Sequence, residues 1–413
     1  MKYLITGNHA CANRGDAAIL RGLLHYLDSQ EDSDYILNSR HPDSANFFLN
    51  KTVVPDALYL YRKTHNNRLR QKLYWRILPY YLALLMWIFK DKPQAIAPYL
   101  PTFMRQQVKQ LQSVDAVIQV GGSFFIDLYG NGQFDHAICA IAAGKPLYLA
   151  GHSIGPFTGK LYQQFCHFVY RHCHWCGLRE HVSAQAAEQA NICLNNLVLG
   201  ADTAWLVPGA KLLANQATVE KSNTIAITVR SVQPFSSRLN IQQHQYEAAM
   251  AKLVDQLSAM HYKVVFYSTC TGIDSYANDD RMVAWRIRSL CQARTLPEVE
   301  MAELNDVELG LALAKCTLTI ATRLHSAIIS MNFATPAIAI NYEHKSAGIY
   351  ADMGLSHYAF SMQSLQDGRL LKAITSALSN SNLSAEFTSA VQKQRLAAEQ
   401  FISAMLKHSK EKV

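Results

Sequence analysis

The sequence lacks a long uncharged apolar run: its most apolar stretch, residues 73–89 (LYWRILPYYLALLMWIF), is broken by Arg76 and Pro79 and is too short to span a bilayer. It lacks a second CxxC and a spaced histidine pair, so Cys173 and Cys176, beside His172 and His174, have no complete zinc-ligand set, and no metal site is expected. Neither GxGxxG nor a P-loop occurs, which removes the usual nucleotide fingerprints. No aromatic–basic nucleic-acid motif, internal repeat or low-complexity tract is present, and nucleic acid is not expected as a partner. Charged residues make up only 17% and hydrophobic ones 49%, the composition of a folded globular protein. The nine cysteines are irregularly spaced, and residues 1–7 read as a first strand rather than a secretory leader, so a cytoplasmic chain with mostly buried free thiols is expected.

What is present is an alternation of short apolar runs with helical patterns, the mark of parallel α/β structure. Strands are expected at 2–6, 34–38, 116–120, 146–150, 175–179 and 196–199, then at 224–229, 263–268, 317–321 and 337–340. Helices are expected between them, including 16–28, 160–171, 245–260, 279–290 and 306–315. A polar segment at 208–223 reads as a linker. The resulting expectation is an α/β chain of two doubly wound Rossmann-like domains with a cleft between them, at 1–207 and 224–384, followed by a helical tail at 385–413. The net charge of +8 suits acidic small molecules or an anionic membrane surface. Residues 73–89 follow the basic run Arg62, Lys63, Arg68, Arg70 and Lys72, so they read either as a buried helix or as a segment lying on anionic lipid.

The most informative stretch is 317–345. It reads as strand, helix, strand, which brings Arg323, His325 and Lys345 to one sheet edge beside a helix N-terminus. Such a site favours a phosphate or a phosphate-bearing carboxylate, and His325 alone among the three exchanges a proton near neutral pH. Arg179 and Arg230 each end an apolar strand; each either meets a carboxylate or binds ligand, and ligand binding is the expectation for both. The loop after the first strand (7–16, with Asn13 and Asp16) can present N–H groups to a ligand, and Asp16 suits a helix N-cap equally well. Gly121, Gly122 and Ser123 follow the 116–120 strand, where glycines admit a ligand to the backbone or simply make a tight turn. The 151–156 segment repeats that arrangement.

Asn13-Arg-Gly-Asp-Ala-Ala-Ile19, Val120-Gly-Gly-Ser123, Gly151-His-Ser-Ile-Gly-Pro156, Leu178-Arg-Glu180, Gly200-Ala-Asp-Thr-Ala204, Arg323-Leu-His-Ser326 and the Pro336…Tyr342…Lys345 segment resemble the polysaccharide pyruvyl transferases, in particular their colanic acid and amylovoran branch. The resemblance implies a GT-B-like pair of domains, the first on the acceptor side and the second on the donor side. It also implies ketal pyruvyl transfer from phosphoenolpyruvate to a hexose, galactose by analogy, on a lipid-linked oligosaccharide at the inner membrane. No cofactor is implied. Arg323, His325 and Lys345 would then belong to the donor site, with Arg179 and Arg230 as further donor binders and His325 as acid/base. The first loop departs from the family pattern, which more often has a carboxylate after the aspartate. Two rivals stand beside it: a glycosyltransferase using a nucleotide sugar at the same helix N-terminus, with Glu343 as ribose ligand, and a non-catalytic, membrane-associated polysaccharide assembly protein, motivated by residues 73–89.

Overall fold

The computed structural model describes the chain except residues 8–9, 31–32, 66–68, 217–219, 234, 275, 343 and 413, and except the side chains of residues 237, 238, 344 and 345. The chain forms two compact units. The first comprises Met1–Ala10, Leu23–Thr203 and Ala397–Val413, and the second Cys11–Gly22 and Ala204–Leu396.

The first unit is built on β1 (Lys2–Thr6), β2 (Asp34–Ser39), β3 (Val53–Pro55), β4 (Ala116–Val120), β5 (Leu147–His152), β6 (Trp175–Leu178) and β7 (Leu197–Leu199). They pair in parallel in the order β3-β2-β1-β4-β5-β6-β7. Every residue of β4 and β5 is buried, which is why those strands read as mostly apolar runs, interrupted by Gln119 in β4 and by Gly151 and His152 at the end of β5. The helix Leu69–Ile88 covers the segment that the sequence left between a buried helix and a surface one; Leu78, Leu82, Leu85 and Met86 face the core. No helix among the described residues is long and apolar enough to cross a membrane.

The second unit holds β8 (Thr224–Thr228), β9 (Lys263–Tyr267), β10 (Glu298–Val299), β11 (Leu318–Ala321), β12 (Ala337–Asn341) and β13 (Ala359–Ser361), again all parallel, in the order β10-β9-β8-β11-β12-β13. Both sheets thus reverse direction beside their first strand, at β1/β4 and at β8/β11, where doubly wound folds bind ligands.

The units are not the contiguous halves that the alternation suggested. Residues 11–22 join the second unit because Arg14 N–H donates to Thr269 O (2.7 Å), Asn13 bridges Cys270, and Arg21 pairs with Asp306 at 2.7 Å. The end of the tail joins the first unit, where Phe401 fills the space over Gly177 and Gly200: a β-carbon on either glycine would lie 2.3 Å from its ring. Inside the expected 208–223 linker, Gly209–Ala214 is helical, and Gly209 packs so closely on Asn332 that a β-carbon would meet its carbonyl at 2.3 Å.

Candidate functional site

In the second unit the C-terminal edge of β11 runs into Thr322 and Arg323, and Arg323 occupies the N-cap position of the helix Leu324–Asn332. Thr322 N–H donates to Thr228 O (3.1 Å), and the Ser326 and Thr228 hydroxyls share a 2.6 Å hydrogen bond, so the helix start is fixed to the end of β8. Tyr246 adds a 3.0 Å bond to the Thr322 hydroxyl.

The guanidinium of Arg323 is held in bidentate fashion by Asp280, with Nε and Nη2 each 2.7 Å from a carboxylate oxygen. Burial alone would weaken the proton affinity of Arg323, but the adjoining Asp280 carboxylate more than offsets it and raises its pKa. Asp280 is itself anchored by Cys270 N–H at 3.0 Å. Burial pushes the Cys270 thiol up to about 12; Arg323 and Arg230 act on it in one sense and Asp280 and Asp16 in the other, so these groups surround one point. Arg230, just past β8, lies flat on Tyr342, 3.8 Å from the ring centroid, and donates Nε–H to Ser231 O. Among the described residues no carboxylate pairs with Arg230.

His325 sits on the first turn of the helix, half-buried, against Gly15: a β-carbon at position 15 would lie 2.6 Å from His325 Cβ and 2.7 Å from Nδ1. The first loop therefore belongs to this site. Asn13, not Asp16, caps its helix, since Asn13 Oδ1 accepts from Gly15 N–H (3.1 Å) while Asp16 lies inside the first turn of Arg14–Asp28. Arg14 is buried and clamps the loop by donating to Cys11 O (2.9 Å), the Thr271 hydroxyl (3.0 Å), Glu303 (2.9 Å) and Leu304 O. Lys345 falls in the first turn of the helix His344–Asp352, its side chain outside the description, and Glu343 lies outside the described residues, as do Asn8 and His9 of the first loop.

The remaining expected site residues belong to the first unit, where Arg179 meets carboxylates, one of the two outcomes open to a strand-end arginine. Its side chain is 0% exposed; it pairs with Asp202 at 2.5 Å and Glu180 at 3.4 Å, and donates to the hydroxyls of Ser153 (2.8 Å) and Ser123 (3.1 Å). A guanidinium so enclosed ties a buried ionic cluster together. Alternation along a strand would separate Arg179 from Glu180, but β6 ends at Leu178 and the chain turns there. Four of the sequence motifs, at 120–123, 151–156, 178–180 and 200–204, are thereby explained as one buried ionic cluster. Gly121 is required by close backbone packing, because a β-carbon would meet Gly151 O at 2.4 Å; Gly122 has φ +153°. Both are buried, whereas Ser123 is half-buried.

The first unit also has a polar cavity of about 390 Å³ past the ends of β2 and β3. In it Asp56 meets His136 at 2.9 Å, Arg62 meets Asp135 at 2.5 Å, and Arg40 donates to Gln133 at 2.8 Å. Burial would raise the pKa of Asp56; His136 and Arg40 overcome it and hold the carboxyl well below the usual range. Nearby, Thr6 and Gln119 are register partners on β1 and β4, and Asn38 follows the β1/β2 pairing; Thr6 Oγ1, Asn38 Oδ1 and Gln119 Oε1 are buried without a partner among the described residues. Nothing local in the sequence marked this cavity, because its residues come from three separate segments. Cys173 and Cys176 are buried free thiols, and no group of three or more metal-ligating side chains occurs among the described residues.

Two parallel, doubly wound units and an arginine–histidine edge define the class, and the comparisons agree with it. The fold is that of GT-B-like enzymes. The UDP-GlcNAc 2-epimerase of Neisseria meningitidis, bound to UDP-GlcNAc, superposes with a TM-score of 0.58 at 11% identity over 100% of both chains. HepE of Anabaena, in complex with UDP-glucose, does so with 0.58 at 13% identity over 98% of this chain and 99% of that one. The family model of polysaccharide pyruvyl transferase matches residues 13–344, and the chain belongs to that family and is a transferase. It is 43% identical to the amylovoran biosynthesis protein AmsJ of Erwinia amylovora, over 98% of this chain and 99% of that protein. Exopolysaccharide pyruvylation is the activity these relationships support.

Proposed function

We propose that the second unit binds phosphoenolpyruvate and transfers its pyruvyl group as a ketal to a hexose, galactose by analogy, of a lipid-linked exopolysaccharide repeat. Phosphate is released and no cofactor takes part. One observation carries this reading: two guanidinium groups stand at one strand edge in different states, Arg323 neutralised by Asp280 and Arg230 stacked on Tyr342 with no carboxylate partner among the described residues. The second offers its charge to an anion, and the dipole at the start of the Leu324–Asn332 helix favours the same charge. Lys345 would complete the phosphate contacts.

His325 then delivers a proton to the methylene carbon of the donor, and C2 becomes electrophilic. A sugar hydroxyl adds to C2 and loses its proton. Phosphate leaves with the C–O bonding pair, and a second hydroxyl adds in its place, closing the ketal with loss of its own proton. The polar cavity of the first unit, with its carboxylates, arginines, Tyr59 and Tyr129, has the lining that suits a polyhydroxylated ring. Access to a lipid-linked acceptor accords with a cytoplasmic enzyme that touches the anionic inner membrane through the helix Leu69–Ile88, whose outward side is apolar and whose flanks are basic.

Calorimetric titration of the purified protein with phosphoenolpyruvate, alongside a panel of nucleotide sugars, tests the donor. Saturable phosphoenolpyruvate binding, weakened about tenfold in Arg230→Lys where planar stacking is lost, is the expected result. Binding of a nucleotide sugar with no phosphoenolpyruvate signal would overturn it in favour of glycosyl transfer.

A further inference from the structure

The helix Leu69–Ile88 is apolar on two sides. One is buried, as described above. The other carries Leu69, Leu73, Ile77, Tyr80, Leu84 and Trp87, three or four residues apart and so aligned as one stripe, and all are exposed, Leu69 by 84% and Trp87 by 69%. At the margin between the two sides, a cavity of about 500 Å³ opens against the helix Lys160–His172. Met86, Trp87 and Phe168 form its apolar wall, and the exposed cations Lys90 and Arg171, with His167, stand at its rim. Trp87 belongs to both stripe and cavity.

Charge narrows the occupant. Residues 57–114 contain ten lysines and arginines and one carboxylate, Asp91, which is 3.0 Å from Arg171. A second copy of the chain docked on this face would set the same cations against themselves. A peptide partner would leave no reason for the aromatic content, Tyr74, Tyr80, Tyr81 and Trp87, which is characteristic of residues at a lipid–water boundary. We propose that the cavity seats one acyl chain of an anionic phospholipid, its phosphate on Lys90, His167 and Arg171, while the stripe lies in the headgroup–acyl boundary. The inference deepens, and rests on, the reading that this helix meets an anionic membrane. It adds a defined single-lipid site to what would otherwise be a greasy surface.

The test uses the full-length protein with vesicles of phosphatidylcholine alone or of equimolar phosphatidylcholine and phosphatidylglycerol, the latter also with mid-chain brominated acyl groups. The protein is expected to float with the mixed vesicles, and the bromines to quench an emission component that Trp87→Phe removes. Gln164→Phe combined with Cys193→Phe, two exposed positions lining the cavity, fills it from outside without touching the core; flotation should persist while Trp87 quenching is lost. Lys90→Glu with Arg171→Glu should reduce the preference for phosphatidylglycerol about tenfold. Leu73→Glu with Leu84→Glu should abolish flotation.

Quenching that survives the filled cavity would overturn the lipid seat, as would absence of flotation. So would a wild-type dimer that becomes monomeric in Leu73→Glu/Leu84→Glu, which would assign the stripe to a second copy. The donor reading fails separately: it stands or falls on phosphoenolpyruvate calorimetry of the same samples without lipid.

Discussion

Gly15 and His325 are in direct contact, 310 positions apart in the chain, and the contact leaves no room for a side chain at residue 15. The glycine of the first loop is therefore a shape requirement of the proposed proton donor, through the placement of its ring. Gly15→Ala is expected to move the imidazole by a few tenths of an ångström or more. Turnover should fall about a hundredfold with phosphoenolpyruvate affinity changed little, since a misplaced catalytic group penalises the transition state. Steady-state kinetics and calorimetry on the same variant check it; parallel loss of affinity and turnover would assign His325 to anion binding.

His325→Ala should abolish turnover while phosphoenolpyruvate still binds. Single-turnover assays with isotopically labelled donor separate the two readouts, and retained turnover would remove His325 from the chemistry.

Asp280→Asn removes the charge that holds Arg323. Arg323 is 12% exposed, so the variant retains a largely buried cation with a poorer partner. A loss of stability of about 3 kcal/mol is expected, read from urea unfolding midpoints, and the double variant Asp280→Asn/Arg323→Met should recover part of it.

Arg179→Ala should behave as a folding lesion. It leaves Asp202 and Glu180 buried without their cation, so the melting temperature should drop sharply, by an amount corresponding to about 3–5 kcal/mol. The fraction that remains folded should bind phosphoenolpyruvate normally. Selective loss of that affinity without loss of stability would place Arg179 in the ligand site.

Burial holds the pKa of His152 down at about 4, against an ordinary value of 6.5. Above pH 6.5 the imidazole is neutral folded and unfolded, and costs nothing. Between 6.5 and 4 the unfolded chain binds a proton that the folded one refuses, so stability falls as pH is lowered across that window and levels off below it. The span corresponds to about 3 kcal/mol. Unfolding midpoints between pH 7 and 4 should therefore converge in His152→Gln relative to the parent, since glutamine does not titrate.

Legibility in the sequence followed the range of the interactions. The long buried strands announced themselves as apolar runs, and 317–345 placed Arg323 and His325 correctly because strand, turn and helix there are local. The short edge strands β3, β10 and β13 hold two or three residues each, too few to carry a period. Asp280 stands at the start of the expected 279–290 helix, and nothing near it marks a role, since its partner Arg323 lies 43 residues away. Arg179 ends a strand just as Arg230 does, and the carboxylate that meets it most closely, Asp202, lies 23 residues on, where no local pattern announces it. The Asn13–Asp16 loop follows a strand of the first unit yet docks on the second, a fact that no local pattern encodes.

That last arrangement bears on biogenesis. A nascent chain ordinarily folds its N-terminal domain first, while the rest is still being made. Here the first unit needs residues 397–413 to cover Gly177 and Gly200, and the second needs residues 11–22, which emerge from the ribosome long before Thr269 and Asp306 exist to receive them. Neither unit can close early. The early loop must wait unburied through most of translation, and removing the final seventeen residues would expose the core of the half that was synthesised first.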